Sequence, residues 1–167
     1  MPIDEYSEPR FDSYLKIKDF LHPINSIIIF DKYLFAESDD YGKLKYPLEK
    51  NLYELLNNLL ENIENKLPIQ IMVITDKNNI NFYDSNESLT DAQKLQKSKN
   101  KVGTYIKSKF DKLLFEVTIV HYDKRNHSTA SEHDRGIYTN YFFIDIGVGI
   151  NIFNFRNKID KRSKISI

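Results

Sequence analysis

The chain has 167 residues, enough for one domain that buries roughly 70% of the surface its unfolded form exposes. With 41% hydrophobic and 29% charged residues it reads as globular rather than disordered. Twenty-four Lys and Arg balance 24 Asp and Glu, so no overall field draws the chain to nucleic acid or to an anionic membrane, and any such binding must come from a local patch. The absence of cysteine excludes disulfides, thiolate zinc sites and cysteine nucleophiles. The first residues, MPIDEYSEPRFDSYL, are acidic where a signal peptide is basic, and no run approaches the roughly 18 apolar residues of a membrane span. The chain is therefore expected to be soluble and cytoplasmic, with no transmembrane segment.

Residues 1–10 are polar and hold two prolines, Pro2 and Pro9, which suits an arm. Phe11, Tyr14, Leu15, Ile17 and Leu21 recur loosely at helical spacing, giving a short helix or a strand lead-in that Pro23 ends. Residues 1–23 thus form an arm and lead-in. From Ser26 to Phe35, SIIIFDKYLF reads as a buried strand that closes on a polar corner at Asp31 and Tyr33. Ala36 to Tyr46 is a polar connection, and Pro47 suits the first position of a helix, where its missing N–H is not needed.

Leu48, Leu52, Leu55, Leu56, Leu59, Leu60, Ile63 and Leu67 trace a wide apolar stripe, so a helix is expected near residues 47–66. Pro68 ends it, Ile69 to Thr75 forms a second buried strand, and Asp76-Lys77-Asn78-Asn79 turns the chain. Strand, helix, strand is a crossover unit, expected to be right-handed with parallel strands. Thr90 and Gln93 are spaced as a capping box and open a second helix near residues 90–112. Its buried side is expected to hold Ala92, Leu95, Val102, Tyr105, Ile106, Phe110 and Leu113. The other side carries Lys94, Lys97, Lys99, Lys101, Lys107 and Lys109, read as a solvated lysine face rather than a polyanion site. A third strand, Phe115 to His121, and a polar Ser/Thr-rich loop lead to residue 132. The fold class is α/β, a mixed β-sheet flanked by helices.

Glu132 to Phe153 gathers polar reactive side chains, β-rich alternation and a Gly-x-Gly turn. His133 and Arg135 share one face of an extended strand, and Asn140 follows four residues after Arg135. Ile137, Tyr138 and the residues from Tyr141 to Ile146 favour strands, with Thr139-Asn140 as the turn of a hairpin. At Gly147-Val148-Gly149 the missing side chains allow a sharp turn or close approach to a bound group, but no third glycine completes a dinucleotide fingerprint.

The order His-x-Arg, four residues, Asn resembles the signature of the phospholipase D superfamily, usually His-x-Lys, four residues and Asp. The nearest resemblance is to the phospholipase D-like domain at the C-terminus of MIT-domain proteins. It is carried by His133-Asp134-Arg135 and by Ile144-Asp145-Ile146-Gly147-Val148-Gly149-Ile150-Asn151-Ile152-Phe153. Asp31 and Tyr33 extend it, since the first strand of such domains often ends in Asp-x-Tyr. The resemblance implies a phospholipase D-like half-domain over residues 24–155 with a C-terminal signature hairpin, followed by a basic tail at 156–167. It implies a phosphate-binding set of His133, Arg135, Asn140, Gly147, Gly149 and Asn151, supported by Asp31 and Tyr33.

In the superfamily one histidine attacks phosphorus and a second protonates the leaving oxygen. Here Arg135 stands where lysine is usual, Asn140 where aspartate is usual, and no second motif occurs. The expectation is a degenerate site that binds a phosphorylated ligand, a lipid headgroup or nucleic acid, without efficient turnover. The alternative is a homodimeric phosphodiesterase or nuclease with His133 as its catalytic nucleophile. A subunit or fragment of a larger system fits either. Residue by residue, His133 and Arg135 also suit a structural hydrogen bond and a surface salt bridge, and Asp31 and Tyr33 a hydrogen-bonded strand end. No cofactor is expected, nor a metal site, because His22, His121, His127 and His133 share no ligand spacing.

Overall fold

The runs richest in β-branched residues become the strands of one mixed sheet, seen in a computed structural model. The structure describes residues 24–38, 47–61, 63, 65–84, 88–123, 136–140 and 143–145. Within them the strands are β1 (Ser26–Phe30), β2 (Ile69–Asp76), β3 (Phe115–Tyr122), β4 (Gly136–Thr139) and β5 (Phe143–Asp145). Their order across the sheet is β3-β2-β1-β4-β5. β1, β2 and β3 are parallel, β4 runs antiparallel to β1, and β5 antiparallel to β4. The crossovers carry α1 (Leu52–Leu60) and α2 (Asp91–Lys109). Both step in the same direction across the sheet, so right-handed connections put both helices on one face.

That face is the core. Ile27, Ile29, Ile71, Val73, Ile119 and Ile137 alternate inward along the strands. They form one buried cluster with Leu52, Leu55, Leu56, Leu59 and Leu60 of α1 and with Val102 and Ile106 of α2. Burying a leucine fully contributes about 1.5–3 kcal/mol, which is what holds so short a helix. The mixed α/β sheet is as the sequence implies, and β4 and β5 form the expected antiparallel pair, with Thr139 as the last residue of β4 and Asn140 following it. The N-terminal arm, the Gly-x-Gly turn and the basic tail lie outside the described residues.

Four details differ. β1 ends at Phe30, not Phe35: the Asp31 carboxylate accepts the backbone N–H of Tyr33 at 2.8 Å and turns the chain. Pro47 precedes a 3-10 turn, Leu48–Lys50, rather than opening α1, and α1 starts only after Asn51. α1 also stops at Leu60, with Glu61 extended at φ −61° and ψ 133°. Beyond it the Asn65 side-chain amide donates to the Leu114 carbonyl at 2.8 Å, tying the connection to the start of β3. In α2, Ala92 and Leu95 are exposed while the turn starts at the expected Thr90–Gln93 box. The buried line of α2 runs instead through Ser98, Val102 and Ile106, spaced four residues apart, and Ser98 takes a buried position.

Candidate functional site at the carboxyl edge of the sheet

Parallel strands joined by right-handed crossovers finish side by side, and the carboxyl edge they form is where open α/β sheets place ligands. Here β1 is also the point where the order turns, with β2 and β3 on one side and β4 and β5 on the other. At that point β1 delivers Asp31, which is only 4% exposed. Its backbone N–H donates to the Ile74 carbonyl at 3.1 Å, and its carboxylate holds the turn that displays Tyr33. Tyr33 is exposed, with the Lys32 ammonium 4.8 Å from its ring centroid. The neighbouring β2 ends in buried Thr75 and Asp76, and the Thr75 hydroxyl donates to the Lys32 carbonyl at 3.4 Å.

Antiparallel β4 begins at the same edge. Gly136 is paired with Phe30, the residue before Asp31, and follows Arg135 directly in the chain. Asn140 stands at the opposite, amino edge, where its side-chain oxygen accepts the backbone N–H of Asn25 at 3.0 Å. The structure thus brings Asp31 and Tyr33 together with the start of β4. It does not bring Asn140 to them: five residues of β1 separate the two edges, about 17 Å at the usual rise per residue. His133, Arg135, Gly147, Gly149 and Asn151 lie outside the described residues.

The edge also holds a polar cluster that sequence reasoning treated as a plain turn. Asp76 accepts from the Asn78 backbone and side chain at 3.0 and 2.9 Å and from the Asn79 side chain at 3.0 Å. Lys77 lies 3.0 Å from an Asp91 oxygen and 3.4 Å from one of Asp123, linking the end of β2 to the start of α2 and the end of β3. The hydrogen bond to Asp91, then that to Asp123, raises the Lys77 pKa, and the same bond lowers that of Asp91. His121, beside Thr75 in the ladder, has a buried Nε2 with no hydrogen-bond partner among the described residues. Burial holds its imidazole below the ordinary histidine range; Lys94 and Lys77 push the same way, and Asp91 opposes them. The signal that could have found this cluster is positional: Asp76, Lys77, His121 and Asp123 all follow or close a strand whose neighbours are parallel.

Behind the edge, the loops after β1 and β2 are fastened together. Ala36 bridges Asn81, Asn81 accepts the backbone N–H of Glu37 at 2.9 Å, and its own N–H donates to the Phe35 carbonyl at 3.0 Å. Glu37, 4% exposed, pairs with Lys101 of α2 at 3.0 Å. Lys97 and Lys101 lie 5.0 and 5.4 Å from the Phe82 ring centroid and reach Asp84 at 2.9 and 3.5 Å. Burial works against ionisation of Asp84, but the two lysines outweigh it and lower its pKa. Two of the lysines read as a solvated face therefore serve as internal ties. Tyr53 of α1 stacks on Tyr105 of α2 with centroids 3.9 Å apart and donates to the Lys101 carbonyl at 3.2 Å. Burial, then nearby Glu49 and Glu37, pushes its phenol well above the usual range.

Among the described residues no group of three or more His, Asp or Glu could hold a metal ion, and no helix is long and apolar enough to cross a membrane. Comparison with protein-family models, curated proteins and solved structures finds no match to this chain.

Proposed function

We propose that the protein is a phospholipase D-like phosphate-binding module, with His133 and Arg135 presented at the carboxyl edge beside Asp31 and Tyr33. One observation carries the reading: Gly136, directly after the His-x-Arg pair, opens β4 opposite Phe30, where β1 hands over to Asp31. The start of β4 at the edge that parallel sheets use for ligands, at the turn in strand order, supports this reading. A guanidinium suits phosphate because its planar fork donates two hydrogen bonds at once. Asp31 and Tyr33 shape the rim, and Asn140 anchors the far end of the same strand. Gly147, Gly149 and Asn151 complete the set by the resemblance alone. Lysine would be a compact point charge with rotatable donors, so arginine in its place favours holding a phosphate over transferring it.

Calorimetric titration with inorganic pyrophosphate, a short single-stranded oligonucleotide and phosphatidic acid vesicles tests this. Arg135→Ala should weaken the ligand that binds by about 1.5–3 kcal/mol, the worth of hydrogen bonds to a charged group, with an unchanged melting temperature. A large loss of stability with no ligand bound by the wild type would make Arg135 a structural ion-pair residue. Hydrolysis of a phosphodiester by the wild type, lost in His133→Ala, would make the protein an enzyme.

A further inference from the structure

The sheet has two faces, and α1 and α2 cover one. On the other, Met72, Ile28, Tyr138 and Phe143 stand in one cross-strand row, from β2 to β5. Val120, Ile74 and Phe30 make the next row. None of these seven belongs to the buried cluster. Their exposure is graded: Ile28, Phe30, Met72 and Ile74, on the adjacent strands β1 and β2, are half-buried, whereas Val120, Tyr138 and Phe143 on the flanks are 37%, 44% and 47% exposed. A face this apolar on the middle strands is the pattern of a sheet covered on both sides.

We propose that this face takes the chain's own leading segment, residues 11–22, as its cover. The point of attachment is the first reason. Pro23 leads directly into Ile24, which is 5% exposed and part of the core cluster, and into Asn25 at the amino edge of β1, the middle strand of the five. A segment joined by so few residues reaches only β1 and its neighbours, and the helix side there is already filled by the leucines of α1. Composition is the second: Phe11, Tyr14, Leu15, Ile17 and Leu21 give this segment the apolar side chains that such a face takes. Dimensions are the third. Twelve residues in helical form extend about 18 Å and are about 10–12 Å wide, and two strands such as β1 and β2 span about 17 Å by 10 Å. That footprint coincides with the half-buried residues and leaves the exposed flank outside it.

Because the chain contains no cysteine, paired cysteines report this contact without background. Leu15→Cys combined with Met72→Cys, and Leu15→Cys combined with Ile28→Cys, should each give an intramolecular disulfide on mild oxidation of the monomer, read by intact mass and non-reducing gel. Leu15→Cys with Lys107→Cys, on the exposed side of α2, should give none. Control-level oxidation in both test pairs overturns the proposal, and disulfides formed only between chains assign the face to a second copy. In the full chain, Leu15→Asp should raise the fluorescence of an apolar-surface dye several-fold; dye binding equal to wild type contradicts the proposal without depending on thiol geometry.

Discussion

The two helices are held by opposite means. α1 has nine residues, five of them buried leucines, and no side-chain cap at its start. α2 has nineteen, of which only Ser98, Val102 and Ile106 are buried, and depends on a complete capping box and on ion pairs along its length. A helix with many buried residues can dispense with good ends, whereas one with few is secured by polar contacts at its start and along its length. A core substitution should therefore act on the whole fold through α1, and polar substitutions in α2 should act locally and in proportion to burial.

The largest effect is expected from Leu56→Asp, which places a charge in the fully buried stripe at a cost of several kcal/mol. Loss of the cooperative thermal transition checks it, and an unchanged melting temperature would contradict the packing of α1. Next is Lys101→Ala, which strands the buried Glu37 carboxylate and frees two loops. We expect about 2 kcal/mol by chemical denaturation, below the range for fully buried pairs because the lysine side chain is 21% exposed. Thr90→Ala removes one half of the capping box and should cost about 1 kcal/mol. Faster amide exchange in the first turn of α2, with β1 to β3 unchanged, is its signature.

The smallest effect is the pH response of His121. Its folded pKa lies below the ordinary value of 6.5, so on acidification the unfolded chain takes up its proton first. The contribution is complete above about pH 6.5 and is lost as the pH falls from there toward the lowered folded value. A melting temperature that declines between pH 7 and 5, with a shallower decline in His121→Gln, is the expected result. The lowered carboxyl of Asp91, which also faces this imidazole, acts in a lower range, below the ordinary carboxylate value of 3.8.

What was legible in the sequence was local. Thr90 and Gln93 lie within one turn, and the α1 leucines declare their period over two or three. The run read to Phe35 overshot β1, but the hydrogen-bonded strand end at Asp31 and Tyr33 was legible in the Asp-x-Tyr step, and the Asp31 carboxylate does accept the Tyr33 amide. Lys97 and Lys101 were misread because their partners, Glu37, Phe82 and Asp84, are distant or belong to another loop, and a lysine snorkelling over a ring has the same sequence as a solvated one. At the candidate site the motif residues are sequence signals, whereas Lys77, His121 and Asp123 converge only once three strand ends are aligned.

The middle strand is also the earliest. β1 leaves the ribosome before every other strand described here, yet one of its flanks waits for β4, and the bond from Asn25 to Asn140 closes a separation of 115 residues. Until then a flat, isoleucine-rich border with unsatisfied peptide groups is open to any extended chain nearby. Closure at such long range also slows the search for the native arrangement. Crowded synthesis is thus the moment of greatest hazard for this molecule, and holding that border safe is a demand on its early life that the finished sheet no longer displays.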